Sequence, residues 1–204
     1  MFMNKKNLAI KLSKLTHLTN LKINLEQYQT ESELAAFLLW RAYQDSCIKN
    51  KVVADFGCGN GIFGIGALLL GAKFVYFLDS DEDALNTCKN NLLKFYSGDN
   101  YSFILGDVSI FKKNIDTVIM NPPFGVQKRK ADKRFLESAM KNSDVIYSIH
   151  KIQSKKFIEA LCSENNFSVV DIVEIPFVIK KTYKFHTRAR YSFISGIWIL
   201  KRKF

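Results

Sequence analysis

The chain is poor in the residues that build metal sites and disulfide frameworks. Its four cysteines, Cys47, Cys58, Cys88 and Cys162, are scattered without a Cys-x-x-Cys pair. Its three histidines, His17, His150 and His186, offer no zinc spacing. A reduced compartment, the cytoplasm, and no bound metal are therefore expected. No apolar stretch reaches the roughly 18 residues of a membrane span, and no signal-peptide pattern precedes the first helix, so no membrane association is expected. There is no internal repeat, low-complexity tract or long linker. Acid is locally missing as well: from Phe177 to Phe204 there are eight Lys or Arg and no Asp or Glu. Only three prolines occur, and two of them are adjacent.

What is present is positive charge and apolar mass. The net charge is +11 and the isoelectric point near 9.4. A second basic cluster, Lys128-Arg129-Lys130, is extended by Lys133 and Arg134. A solvated charged face accounts for most lysine runs, but the unevenness here favours a polyanionic partner, nucleic acid. Charge alone does not separate RNA from DNA. With 204 residues, 48% of them hydrophobic, one domain with a substantial core is expected.

The adjacent prolines lie in Asn121-Pro122-Pro123-Phe124, directly after the apolar run Thr117–Met120. Each proline fixes its own φ and pushes the preceding residue into an extended conformation. The segment can neither continue a helix nor pair as a central strand. Its acceptors are then free to face a pocket. The Asn121 side-chain oxygen and the Pro122 carbonyl can each accept one N–H of a planar exocyclic amine, while Phe124 stacks on the attached ring. Asn-Pro also simply starts turns, and a Phe after a turn is often core.

Context about sixty residues upstream favours chemistry. Val52–Phe56 reads as a strand ending in Asp55. Gly57-Cys58-Gly59-Asn60-Gly61 follows, then the helical pattern Ile62, Ile65, Leu68, Leu69. Strand, glycine turn and helix open a nucleotide-binding α/β unit. The Gly-x-Gly-x-Gly spacing, preceded by an acid, differs from the dinucleotide fingerprint. It favours a cofactor with an amino-acid moiety and no pyrophosphate, which S-adenosyl-L-methionine fits. A second strand, Lys73–Leu78, ends at Asp79, placed to bind ribose hydroxyls, with Ser80 or Asp81 capping the next helix. A third, Ser102–Leu105, leads to Gly106-Asp107-Val108. Asp107 there can accept an adenine amino group and Val108 can donate a backbone N–H, or Asp107 is a plain turn acid. Asp55, Asp79, Asp107 and Asn121 thus follow four strands, and in an open parallel sheet such ends share one crevice.

The remaining elements are a helix over residues 5–15, and a Thr30-Glu31-Ser32-Glu33 capping box opening a helix to Asp45. A fourth strand spans Asp116–Met120, a helix 133–142, a fifth strand 145–149 and a helix 153–165. Final strands over 168–175 and 192–200 can pair antiparallel across the polar segment 180–190. This pattern predicts an α/β, Rossmann-like fold: seven mostly parallel strands, helices on both faces and a C-terminal antiparallel hairpin. Residues 1–204 are expected to form one domain, with 1–50 as a helical cap and cofactor-closing loop and 51–204 as the α/β core.

Five segments recur in this order in one family: Leu25-Glu26-Gln27-Tyr28 with Thr30; Val52-Val53-Ala54-Asp55; Met120 to Gly125; Tyr147-Ser148-Ile149-His150-Lys151; and Tyr183-Lys184-Phe185-His186. The chain resembles, over essentially its whole length, the methyltransferase-like 5 family and its archaeal counterparts. These are class I enzymes that methylate the N6 amine of an adenosine in small-subunit ribosomal RNA with S-adenosyl-L-methionine. The resemblance implies that Gln27 and Thr30 close over the cofactor. It implies that Gly57, Asn60, Ile62, Asp79, Asp107 and Val108 bind it, and that Asn121 to Phe124 are catalytic. It also implies a small zinc-binding activator protein as a partner. Asn60 stands where members vary among Cys, Thr and Asn. The segment after His186 reads Thr187-Arg188-Ala189-Arg190 and not a lysine-rich run.

The expected site therefore comprises Asn121, Pro122, Pro123 and Phe124 for catalysis. Gln27, Thr30, Asp55, Gly57, Gly59, Asn60, Gly61, Ile62, Asp79, Ser80, Asp107 and Val108 are expected at the cofactor. Lys128, Arg129, Lys130, Lys184, His186, Arg188 and Arg190 are expected on RNA. His150, read as following the fifth strand, is at least as well explained by a structural bond as by base chemistry. Guanine-N2 methylation of RNA, methylation of a protein glutamine, and RNA binding without catalysis remain as alternatives.

Overall fold

Strands β1 (Val52–Phe56), β2 (Phe74–Asp79), β3 (Tyr101–Leu105), β4 (Ile115–Met120) and β5 (Ser143–Lys151) run parallel, in spatial order β3-β2-β1-β4-β5. Strand β7 (Arg190–Arg202) lies antiparallel beside β5, and β6 (Phe167–Lys180) pairs antiparallel with β7 at the edge. The computed structural model describes residues 3–19, 21–22, 27, 29–123, 131–180 and 190–203. The helices are α1 (Lys5–Leu12), α2 (Ser32–Gln44), α3 (Ile62–Leu69), α4 (Glu82–Phe95), α5 (Ala131–Asn142) and α6 (Lys155–Glu164).

Alternation along the strands explains the layering. Val53, Ile119, Tyr147, Ile149, Ile197 and Ile199 point to one face and pack with Leu8, Leu38, Leu39 and Ile65 of α1, α2 and α3. Ala54, Phe56, Val118, Met120, Ile146, Trp198 and Leu200 point to the other and pack with Leu136, Met140, Ile158 and Leu161 of α5 and α6. Central parallel strands buried on both faces read as continuous apolar runs, as here. Helix α2 is also held by polar and charged contacts. Tyr147 Oη donates to Asp45 Oδ2 at 2.7 Å, and Arg41 bridges Asp45 at 3.0 Å and Asp171 at 2.9 Å.

The expected strand and helix order is found, with differences at the boundaries. Strands β6 and β7 run on to Lys180 and from Arg190, because each keeps pairing with the other. Pro176 is accommodated inside β6 because that strand is an edge. His150 lies within β5, opposite Gly196, and not after the strand. The capping box at Thr30 does not form. Helix α2 begins at Ser32 with Glu31 as N-cap and no side-chain cap bond, and the Thr30 hydroxyl is engaged elsewhere.

Strand order reverses at β1, whose neighbours are β2 and β4. Phe56 is level with Met120 and with Leu78. The glycine loop and Asn121 therefore leave adjacent strands at the same sheet end. That is the switch point where α/β sheets open a crevice.

Candidate active site

The glycine loop is shaped by left-handed backbone. Gly57, Gly59 and Gly61 have φ of 68°, 54° and 87°, a region side chains seldom occupy. Gly61 is also the N-cap of α3, and a Cβ there would sit 2.5 Å from Cys88 Sγ. The loop hangs from β2: Gly57 N and Cys58 N donate to the Leu78 carbonyl at 2.8 and 3.0 Å, and Gly59 N donates to Asp79 Oδ2 at 2.9 Å. The second Asp79 oxygen accepts Asp81 N at 3.0 Å. Burial raises the Asp79 pKa despite these amides. The Ser80 amide also acts on this carboxylate, and of its roughly four lone-pair sites one is left for a hydroxyl donor.

Around this loop a cavity is lined by Leu18, Gln29, Thr30, Gly57, Cys58, Gly59, Asn60, Ile62, Phe63 and Asn121. Six of the expected site residues thus meet in one place. Gln27, Ser80, Asp79, Asp107 and Val108 lie outside that lining. Gln27 donates to Asp81 Oδ2 at 2.8 Å and accepts from Lys22 N at 2.7 Å. Burial alone would raise the Asp81 pKa, but Lys22, Gln27 and the Asp83 amide together hold it below the ordinary value. Asp81, not the exposed Ser80, caps α4, accepting Asp83 N at 3.1 Å. Asp107 caps the short 3-10 turn Val108–Ile110 through Ser109 N at 3.0 Å and pairs with Arg134 at 3.3 Å. Val108 is buried beneath that turn, and its carbonyl accepts Ser138 Oγ at 2.6 Å.

Asp55 lies under the loop, fully buried. Its Oδ2 accepts Gly64 N at 2.8 Å and its Oδ1 has no partner. Burial pushes its pKa up to about 7. Asn121 is the other residue here with an orphaned buried oxygen. Its Nδ2 donates to Thr30 Oγ1 at 3.0 Å, while its Oδ1 is buried without a partner. The Thr30 bond fixes the orientation of the amide and leaves its oxygen available as an acceptor. Pro122 is buried and Pro123 half-buried.

Phe124, Lys128, Arg129, Lys130, Lys184, His186 and Arg188 lie outside the described residues. Arg190 opens β7 opposite Lys180. His150 is 2% exposed, bonds Ser148 Oγ through Nε2 at 2.7 Å, and has its pKa pushed down to about 3 by burial. A neutral, enclosed imidazole holding a neighbouring strand residue fits a structural part, not a base. Sequence reasoning missed Leu18, Cys58, Phe63 and Gln29. Cys58 and Phe63 abut flagged residues, but Leu18 lies in a connector without a motif.

Two relatives and one solved structure decide the kinship. An rRNA N(6)-adenosine-methyltransferase, METTL5, of Danio rerio is 36% identical over 82% of this chain and 84% of its own length. Its Drosophila melanogaster namesake is 33% identical over 87% and 86%. The chain belongs to the methyltransferase-like 5 family. The crystal structure of a Pyrococcus horikoshii protein is 40% identical, with a TM-score of 0.89 over 99% of this chain and 98% of that one. The family model described as "Methyltransferase small domain" matches residues 29–144, from Gln29 to just past α5. As a methyltransferase of this family, the protein uses S-adenosyl-L-methionine. The open glycine backbone, the Asp79 carboxylate and the orphaned Asn121 acceptor fit that cofactor beside an amine substrate.

Proposed function

We propose that the protein transfers a methyl group from S-adenosyl-L-methionine to the N6 amine of an adenosine in small-subunit ribosomal RNA. The observation that carries the reading is the Asn121 amide. Its NH2 is held by Thr30 and its buried oxygen is unpaired, directly before the two prolines. A buried acceptor without a partner costs on the order of 1–3 kcal/mol, so a group that completes it is favoured. The names of the Danio rerio and Drosophila melanogaster relatives support rRNA adenosine as the class of substrate.

The cofactor supplies an electrophilic sulfonium methyl. Asn121 Oδ1 and the Pro122 carbonyl accept the two N–H groups of the amine and aim its lone pair outward. The same oxygens stabilise the positive charge that grows on nitrogen. Orientation of this kind contributes roughly 7–11 kcal/mol. No strong base is needed, because the product ammonium is acidic. Phe124 stacks on the flipped base, returning roughly 1–3 kcal/mol against the cost of unstacking. Gln27, Thr30 and the Gly57–Ile62 loop hold the cofactor, with Asp55 beneath it, Asp79 and Ser80 at its ribose, and Asp107 and Val108 at its adenine. Lys128, Arg129, Lys130, Lys184, His186, Arg188 and Arg190 hold phosphates.

A small zinc-binding activator would cover the sheet edge at β3. That edge is unpaired beyond β2 among the described residues, and Leu105 and Ile110 beside it are each 52% exposed. Residues 1–204 would act as one cytoplasmic domain. In support, Leu8, Leu38, Ile65 and Tyr147 share one core cluster across the 1–50 cap and the α/β part.

The test is nucleoside mass spectrometry of small-subunit rRNA incubated with the protein and labelled cofactor, with and without an activator. Label in N6-methyladenosine, lost with Asn121→Ala, is expected. Label in N2-methylguanosine instead would make the protein a guanine-N2 enzyme.

A further inference from the structure

We propose that Asn91, on α4, is a positioning residue for the cofactor: it clasps the N-terminal connector Thr16–Leu18 onto the glycine loop and so builds one wall of the cleft. The inference rests on that cleft being the cofactor's.

Asn91 is fully buried in the middle of a helix. Asparagine is a poor helix-interior residue, since its amide competes with backbone bonds. Here every polar function is spent on distant chain. Oδ1 accepts Thr16 N at 2.8 Å, and Nδ2 donates to Thr16 O and to Asn60 O, both at 3.0 Å. The Asn60 side chain adds a second donor to Thr16 O at 3.2 Å. One side chain thus satisfies both backbone groups of Thr16 and ties them to the loop that touches the cofactor.

Two consequences follow for the cleft. The peptide unit between Asn60 and Gly61 is pinned at both ends. Its carbonyl is held by Asn91, and its N–H donates to Cys58 O at 2.8 Å. That unit sets up the left-handed Gly61 and the start of α3, where Ile62 lines the cavity. Two residues beyond the clasp, Leu18 lines the same cavity beside Gly59, its Cδ1 3.9 Å from where a Gly59 Cβ would lie. The wall is therefore set by α4, a helix that supplies no lining residue of its own to this cavity.

Without Asn91, Thr16 N–H and the Asn60 carbonyl lose their partner, and the connector is released from the loop. Asparagine is specified because the site needs one acceptor and two donors on one planar group; leucine supplies neither, and aspartate supplies no donor.

The experiment measures S-adenosyl-L-methionine binding by calorimetry on the full chain, at a temperature where each variant is folded. Asn91→Ala is expected to raise Kd about tenfold or more, with methyl transfer at saturating cofactor within about threefold of wild type. Hydrogen exchange at the Thr16 amide should accelerate while β1 and β4 keep their protection. Leu92→Ala, at a buried neighbour on the same helix, should lower stability and leave Kd unchanged. An unchanged Kd for Asn91→Ala, or an equal rise for Leu92→Ala, overturns the proposal. If Asn91→Ala does not fold, Asn91→Asp keeps the acceptor for Thr16 N–H and removes both donors, and its Kd decides in the same way. Wild-type protein that binds no cofactor overturns the cofactor reading and the clasp with it. Wild-type protein that binds while Asn91→Ala binds equally overturns the clasp alone.

Discussion

Replacing Asn121 with alanine should separate catalysis from stability, because the wild-type side chain costs the resting fold something. Its Oδ1 is buried and unpaired, and its Nδ2 donates to Thr30 at 3.0 Å. Deleting the side chain loses a hydrogen bond of about 1 kcal/mol and relieves a desolvation cost of about 1–3 kcal/mol. The net change in folding stability should lie between zero and a gain of about 2 kcal/mol, offset by the small cavity left behind. Activity should move the other way. Removing one preorganised group that stabilises developing charge costs about 2.7–4 kcal/mol, or 100- to 1000-fold in turnover. Cofactor affinity should stay within about threefold, since the amide faces the amine. The assays are thermal unfolding, calorimetric cofactor binding and single-turnover methylation of rRNA. A fall in melting temperature of several degrees, or a turnover loss below tenfold, would refute the reasoning. Thr30→Val gives an internal check: it frees the amide to rotate, so turnover should fall about tenfold, less than with Asn121→Ala.

Gly61→Ala should abolish cofactor binding and lower stability by more than about 1 kcal/mol, because φ is 87° and the new Cβ would meet Cys88 Sγ at 2.5 Å; binding calorimetry and unfolding report both. Asp55 has its folded pKa raised by burial to about 7. Its stabilising contribution is thus full below about pH 4 and lost as pH rises to about 7, at most about 4 kcal/mol. Asp55→Asn should flatten that part of the stability curve in urea titrations from pH 4 to 8. His150 has the opposite sign, its folded pKa being lowered by burial to about 3. Its contribution is full above about pH 6.5 and lost as pH falls toward 3, at most about 5 kcal/mol. His150→Gln should reduce acid lability in that window, and an unchanged acid limb would mean the imidazole is not buried neutral.

The order of elements was legible because apolar periodicity and turn chemistry are local. Val52–Phe56, the glycine run and Ile62 onward spelled strand, turn and helix, and the structure has that unit. The paired prolines forced an end to β4 after Met120 for a reason internal to the ring. The insertion of β7 between β5 and β6 was not legible, because antiparallel pairing potential does not say which edge a hairpin joins. Nor was the fate of Thr30. Its local sequence read as a capping box, but the hydroxyl took a partner 91 positions away. The same holds for Leu18 and Asn91, which meet the glycine loop only once α4 has docked.

By itself, then, the sequence determined which residue types stand at strand ends and where the backbone must turn, since those depend on φ restrictions and periodicity within a few residues. The tertiary structure alone decided which polar atoms find partners. Asn121 keeps a free acceptor while Thr30 fixes the orientation of its amide, and Thr16 is satisfied because Asn91 reaches it across the fold. Hydrogen bonding in a buried site is a matter of distance and direction between remote segments, and no local pattern encodes it.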